Sequence, residues 1–121
     1  MKAIDKLLPT ANAALLNSTV IENNSVTDDV YDGYLNGFGP AVITSGLIQT
    51  IAVYEADPKR KKILDIIAKV ANINNTATGA ALMQQCLNNH ANKMLLNIWR
   101  EKIINASVAL KMMIRTFNLN R

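Results

Sequence analysis

The 121-residue chain is expected to fold as an all-α protein, a single compact bundle of about five or six helices. Three observations predict this. Apolar residues recur at helical spacing along nearly the whole length, no stretch alternates convincingly as a strand does, and proline or glycine falls at intervals that cut the pattern into helix-sized pieces. A chain of this length buries roughly two-thirds of the surface that its unfolded form exposes, so an ordinary apolar core suffices.

The first helix is read from Ile4, Leu8, Ala11 and Leu15, with Leu7 and Ala14 beside them. Pro9 must occupy its first turn or kink it. Glu22 to Thr27 reads as a polar loop, after which Thr27 is positioned to cap a second helix whose first turn carries Asp28 and Asp29. Tyr31, Tyr34, Leu35 and Phe38 form the buried stripe of that helix.

The stretch Asn36-Gly-Phe-Gly-Pro-Ala-Val-Ile-Thr-Ser-Gly-Leu47 then places three of the five glycines and one of the three prolines in otherwise helical sequence. Each interior glycine costs about 1 kcal/mol against alanine and proline about 3. The expectation is a break or sharp kink here, with Gly37 left-handed at a helix end, Gly39 in the turn and Pro40 opening the next helix. From Pro40 to Glu55 apolar residues go almost all the way round, which marks a central helix. Gly46 falls in its middle, as it would where a neighbouring backbone comes too close for a β-carbon.

Asp57-Pro58 repeats the start signal for a helix to about Ile73, with Asp65 and Lys69 as an i, i+4 pair. Asn72 to Thr78 is a loop, and Gly79 precedes a short helix from Ala80 to about Asn88. The remainder, from His90 or Asn92 to about Leu119, is one long helix or two joined near Asn105 to Ser107.

Charge divides unevenly. Residues 1–55 hold two cations and six anions, net −4, whereas residues 56–121 hold eleven cations and three anions, net +8. Such a polycationic half points to a polyanionic partner, nucleic acid first. Lys59-Arg60-Lys61-Lys62 is the informative run, because cations at a helix start oppose the macrodipole, and a bound phosphate backbone would reverse that sign. Arg100, Lys111 and Arg115, with Lys102 and the terminal Arg121, extend the basic surface.

Other chemistries find little. Gly37-Phe38-Gly39 is a fragment of the dinucleotide pattern without its third glycine or a preceding strand. Cys86 and His90 share a helix face, but a second cysteine or histidine is missing, so neither a metal site nor a disulfide is expected. Asp28, Asp29 and Asp32 read as a solvated acidic turn, and Trp99 reads as core in preference to a base-stacking platform. No nucleophile has a base; neither catalysis nor a cofactor is expected. No apolar run approaches a bilayer span, and Asp5 and Lys6 interrupt any secretory signal, so the expected location is cytoplasmic.

The segment from Tyr34 to Glu55, above all Gly46-Leu47-x-Gln49-x-x-Ala52-x-Tyr54, resembles the small subunit of the type III-B CRISPR effector, the Cmr complex. Ala109 to Phe117, with Arg115 preceding Phe117, resembles that family's closing helix. The resemblance implies a non-catalytic subunit that stacks in several copies along the backbone subunits beside paired guide and target RNA, with no small-molecule substrate and no membrane. Lys59, Arg60, Lys61, Lys62, Arg100, Lys111 and Arg115 are the expected phosphate contacts, and Gly37, Gly39, Pro40, Gly46 and Leu47 the architectural motif. A helical DNA-binding regulator and a protein-only adaptor remain as alternatives.

Overall fold

A computed structural model describes residues 2–119; Arg121 therefore lies outside the described residues. Its α-helices are α1 (Lys2–Leu16), α2 (Val30–Ser45), α3 (Leu47–Ala56), α4 (Pro58–Ala71), α5 (Gly79–Asn88) and α6 (Lys93–Ile114). α6 is the axis of the bundle, with α1, α2 and α4 packed along it. The all-α expectation holds, with one small addition. Strands β1 (Ile21–Glu22), β2 (Ser25–Val26) and β3 (Asn118–Leu119) form a minimal sheet, in which β1 pairs antiparallel and β3 parallel with β2.

The sheet corrects the reading of Glu22 to Thr27 as a plain loop. Asn23 and Asn24 both take positive φ, 53° and 61°, as a two-residue hairpin turn requires of its central residues. Asparagine tolerates that conformation better than other residues with a β-carbon. Val20, Ile21 and Val26 are buried, which anchors the hairpin to the core.

Pro9 lies in the interior of α1, not in its first turn, and the helix runs through it. The proline is exposed, so the carbonyl one turn earlier that lacks its N–H partner sits on the wet side. Thr27 is not the cap of α2. Its hydroxyl lies 2.9 Å from the Thr19 carbonyl and 3.1 Å from that of Val20, tying the hairpin back to the end of α1. Asp29 holds the cap position without a side-chain bond, while Asp28 Oδ1 accepts the Val30 N–H at 3.1 Å.

The expected break at Gly37 to Pro40 is absent: α2 is continuous from Val30 to Ser45. Gly37 faces open space, and a β-carbon at Gly39 would meet Ile104 and Ser107 of α6 only at ordinary contact distance. Pro40 is exposed, so the unpaired carbonyl of Asn36 can be hydrated. Burial of Tyr31, Leu35, Phe38 and Val42 on one face keeps the helix continuous across residues that would disfavour it in isolation.

The chain breaks instead at Gly46, with φ 96° and ψ 159°. This region of backbone space is essentially confined to glycine. The Gly46 N–H closes α2 on the Val42 carbonyl at 2.9 Å, and the Gly46 carbonyl opens α3 by accepting the Thr50 N–H at 3.2 Å and the Thr50 hydroxyl at 2.8 Å. No neighbouring helix crowds it; what a β-carbon would meet is the end of Gln49, 2.7 Å from Oε1. The supposed central helix is thus two shorter helices, each with one wet side on which Ile43 and Val53 are exposed.

From Asp57 onward the helix starts follow the expected punctuation, whereas α6 ends at Ile114, short of the expected Leu119, which lies in β3. Asp57 Oδ2 accepts the Arg60 N–H at 2.9 Å, Thr78 Oγ1 that of Ala81 at 3.1 Å, and Asn92 Oδ1 that of Leu95 at 3.1 Å. α4 ends at Asn72 in the left-handed conformation, slightly before Ile73, and a single 3-10 turn follows. α6 is one helix; the Ser107 hydroxyl donates to the Ile104 carbonyl at 2.7 Å instead of ending the helix. The expected Asp65–Lys69 pair gives way to a bond from the Gly79 N–H to Asp65 Oδ1 at 2.7 Å.

One contiguous core joins these elements, centred on Leu15, Phe38, Ile63, Leu64, Ile67, Leu82, Ile103 and Leu110. Gly79 is the tightest point. A β-carbon there would collide with the Leu64 side chain and with Glu55 Oε1, and Leu64 is wholly buried. Gly79→Ala is expected to destabilise by about 1–3 kcal/mol, as overpacking does. A urea midpoint equal to that of the unaltered chain would show that α3, α4 and α5 do not meet as described.

Candidate nucleic-acid interface

The basic run at the start of α4 is largely neutralised from within. Lys59 Nζ lies 2.6 Å from Asp28 Oδ2, Arg60 Nη1 lies 3.9 Å from Asp57 Oδ2, and Lys61 Nζ lies 3.3 Å from Glu55 Oε2. The Arg60 guanidinium also sits over the Tyr34 ring, 4.5 Å from its centroid. The hydrogen bond from Lys59, aided by the Val30 N–H, holds the Asp28 carboxyl below the usual carboxylate range, and Asp28 raises Lys59 in turn. The cost of cations at a helix N-terminus is thereby offset by carboxylates from the approach to α2, from α3 and from the α4 cap. Lys62 is exposed with no ion pair among the described residues.

Arg115 is engaged as well. It follows the last turn of α6, where a cation suits the negative end of the dipole, and its Nε lies 3.4 Å from Asp32 Oδ1. The acidic first half and basic second half of the chain thus meet each other across α2. Much of the charge asymmetry read from the sequence is consumed inside the fold.

Arg100 and Lys111 are different. Neither holds an ion pair among the described residues, and both lie on α6 with Lys93 at separations of seven and eleven residues. At 100° per residue these positions fall within about 20° of one another, making a stripe roughly 27 Å long. The stripe follows the flank that α6 turns toward α2 and α3, since Ile104 and Ser107 on that side face Gly39, and Lys93 and Arg100 line a groove with Leu47 to Gln49. Lys93 was not singled out in the sequence; its seven-residue spacing from Arg100 was the available signal. Lys102 projects from the opposite side, beside Lys6, Leu7 and Ala71.

Between the start of α3 and the first turns of α6 lies a groove of about 380 Å³. Leu47, Ile48 and Gln49 line one wall, and Lys93, Leu96, Asn97 and Arg100 the other. A second hollow continues from Arg100 along Glu101, Ile104 and Asn105. Leu47 and Gln49, from the start of α3, and Arg100, from the basic stripe, are therefore brought to one place. Gly37, Gly39 and Pro40 are not part of it.

The remaining candidates take ordinary places. Trp99 is buried, so its indole is unavailable for stacking on a base. Burial pushes the Cys86 thiol up to about 11, a value at which little thiolate exists near neutrality. His90 Nδ1 lies 3.0 Å from the Leu87 carbonyl. Among the described residues no group of three or more His, Cys, Asp or Glu side chains is arranged to hold a metal, and no helix is long and apolar enough to cross a membrane. Comparisons with protein-family profiles, with curated proteins and with solved structures return no match.

Proposed function

We propose that the protein is a non-catalytic RNA-contacting subunit of a multi-subunit ribonucleoprotein of the type III-B CRISPR kind. In this reading the flank of α6 bearing Lys93, Arg100 and Lys111 lies along the phosphate backbone of the guide or target RNA. The observation that carries it is that these three cations share one face and have no carboxylate partners among the described residues. An unpaired cation releases counterions on meeting a phosphate without first giving up an internal partner. Sequence specificity would belong to guide pairing, so backbone contacts suffice.

Lys59, Arg60, Lys61 and Arg115 become secondary contacts. Their ion pairs are solvent-exposed, a class worth about 0–1 kcal/mol each, so a phosphate can displace them at small cost. One observation favours a rival, the protein-only adaptor: four of the seven cations expected to touch RNA already hold carboxylates.

Affinity purification of the tagged full chain from its native host separates these readings. The expected product is a multi-subunit particle containing small guide RNAs. Recovery of the chain with protein partners and no RNA would favour the adaptor, and recovery of the chain alone would remove the proposal.

A further inference from the structure

We infer that the groove between α3 and α6 is a subsite for one unstacked nucleotide of a single strand, its base on an aliphatic floor and its phosphate between Lys93 and Arg100. This rests on the RNA-contact reading of α6 and adds that bases, not phosphates alone, are held.

Four features of the groove converge on that occupant. Leu47, Ile48 and Leu96 offer an apolar floor against which a base can lay its flat face, shielding aliphatic surface from water. Gln49 and Asn97 stand on opposite walls, both exposed and with no hydrogen-bond partner among the described residues. A primary amide carries both donors and an acceptor, so the pair can meet the mixed pattern at the edge of any base. Lys93 and Arg100 supply positive charge, and no carboxylate lines this groove; Glu101 lies in the adjoining hollow.

The fourth feature is size. At about 380 Å³ the groove is at the small end of ligand sites, suited to a single nucleotide. A docked helical peptide needs successive apolar clefts for anchors spaced at i, i+3, i+4 and i+7, and a floor of three aliphatic side chains does not provide them. With no aromatic wall and amides as the reading groups, the subsite would discriminate weakly between bases. That tolerance suits a strand whose sequence varies.

Methyl NMR of the full chain titrated with UMP and AMP, with ribose 5-phosphate and inorganic phosphate as controls, tests the inference. The Leu47, Ile48 and Leu96 methyl signals are expected to shift with either nucleotide and not with the controls. The double variant Gln49→Ala, Asn97→Ala, with helical circular dichroism unchanged, should reduce those shifts at least threefold at equal ligand concentration. Equal shifts with phosphate alone, or no shifts with any ligand, would each overturn it. Binding of a short single-stranded RNA is measured in parallel. If the RNA binds and the groove methyls stay still, the subsite fails and the RNA-contact reading survives; if mononucleotides shift the groove and the RNA does not bind, the reverse holds.

Discussion

Gly46→Ala should destabilise the protein by about 1–3 kcal/mol, the cost of forcing a residue with a β-carbon into backbone space that only glycine enters freely. Gly46→Leu should cost nearly the same. The neighbour that a β-carbon meets is the flexible end of Gln49, which can swing aside, so the strain resides in the backbone and not in the added volume. A thermal midpoint lowered by several degrees in both variants is expected. Had a second helix crowded Gly46, leucine would be far worse than alanine.

Gly37→Ala makes the opposite-signed control. Gly37 lies within α2 and faces open space, so alanine should stabilise by about 0.5–1 kcal/mol through helix propensity and a less disordered unfolded chain. A left-handed Gly37 at a helix end would make the same substitution destabilising. The two glycines together locate the bend of the chain by measurement.

The second large effect concerns charge. If the protein contacts RNA as proposed, reversing Lys93, Arg100 and Lys111 to glutamate should reduce RNA affinity by at least two orders of magnitude at low salt, because three attractions become three repulsions on one face. The helical content should not change, since Lys93 and Arg100 are exposed and none of the three holds an ion pair among the described residues. Reversing Lys59, Arg60 and Lys61 is a poorer probe. It removes three internal ion pairs and places glutamates beside Asp28, Glu55 and Asp57, so lost stability would be mixed with lost binding.

The titration of the Asp28–Lys59 pair has a definite sign. Asp28 is lowered in the folded state, so its contribution is present above the unfolded carboxylate range and is lost as pH falls through the folded value. Lys59 is raised, so its contribution is present below the unfolded value and is lost as pH rises through the folded one. Lys59 is exposed and Asp28 partly so, in a surface ion pair of the class worth little, and Asp28→Asn should leave the thermal midpoint near neutrality within a degree or two while abolishing the small acid-side slope that the pair contributes.

The legible parts of this fold were those governed by local rules. Asp57-Pro58, Thr78-Gly79 and Asn92 each announce a helix start by a side chain that accepts an N–H three residues on, and a single sequence displays that signal. Gly37 and Pro40 misled because their local cost is real yet smaller than what the packing of α2 on α6 returns. Gly46 stands out in the sequence as a glycine inside an apolar run, but a positive φ leaves no trace in apolar periodicity, so the pattern suggests a close neighbour where the backbone turns. The two-residue strands escaped because pairing so short depends on partners distant in sequence, Asn118 and Leu119 for β2.

The candidate site shows the same division. That the second half of the chain is basic is plain from composition, but which cations remain available depends on where α2 brings Asp28 and Asp32. Tertiary contact alone decides that Lys59 and Arg115 are paired while Arg100 and Lys111 hold no ion pair among the described residues. The groove was equally hidden, since Leu47 to Gln49 and Lys93 to Arg100 are joined only by folding.

The salt dependence of RNA binding tests the α6 interface most directly. For a single strand the logarithm of affinity falls against the logarithm of salt concentration with a slope of about −0.7 for each phosphate neutralised. Replacing Lys93, Arg100 and Lys111 together by alanine should therefore flatten the slope by about 2, and replacing Lys59, Arg60 and Lys61 should flatten it by less than 1. A slope unchanged by the α6 substitutions, or flattened more by those at the start of α4, would contradict the assignment of α6 as the surface that meets RNA.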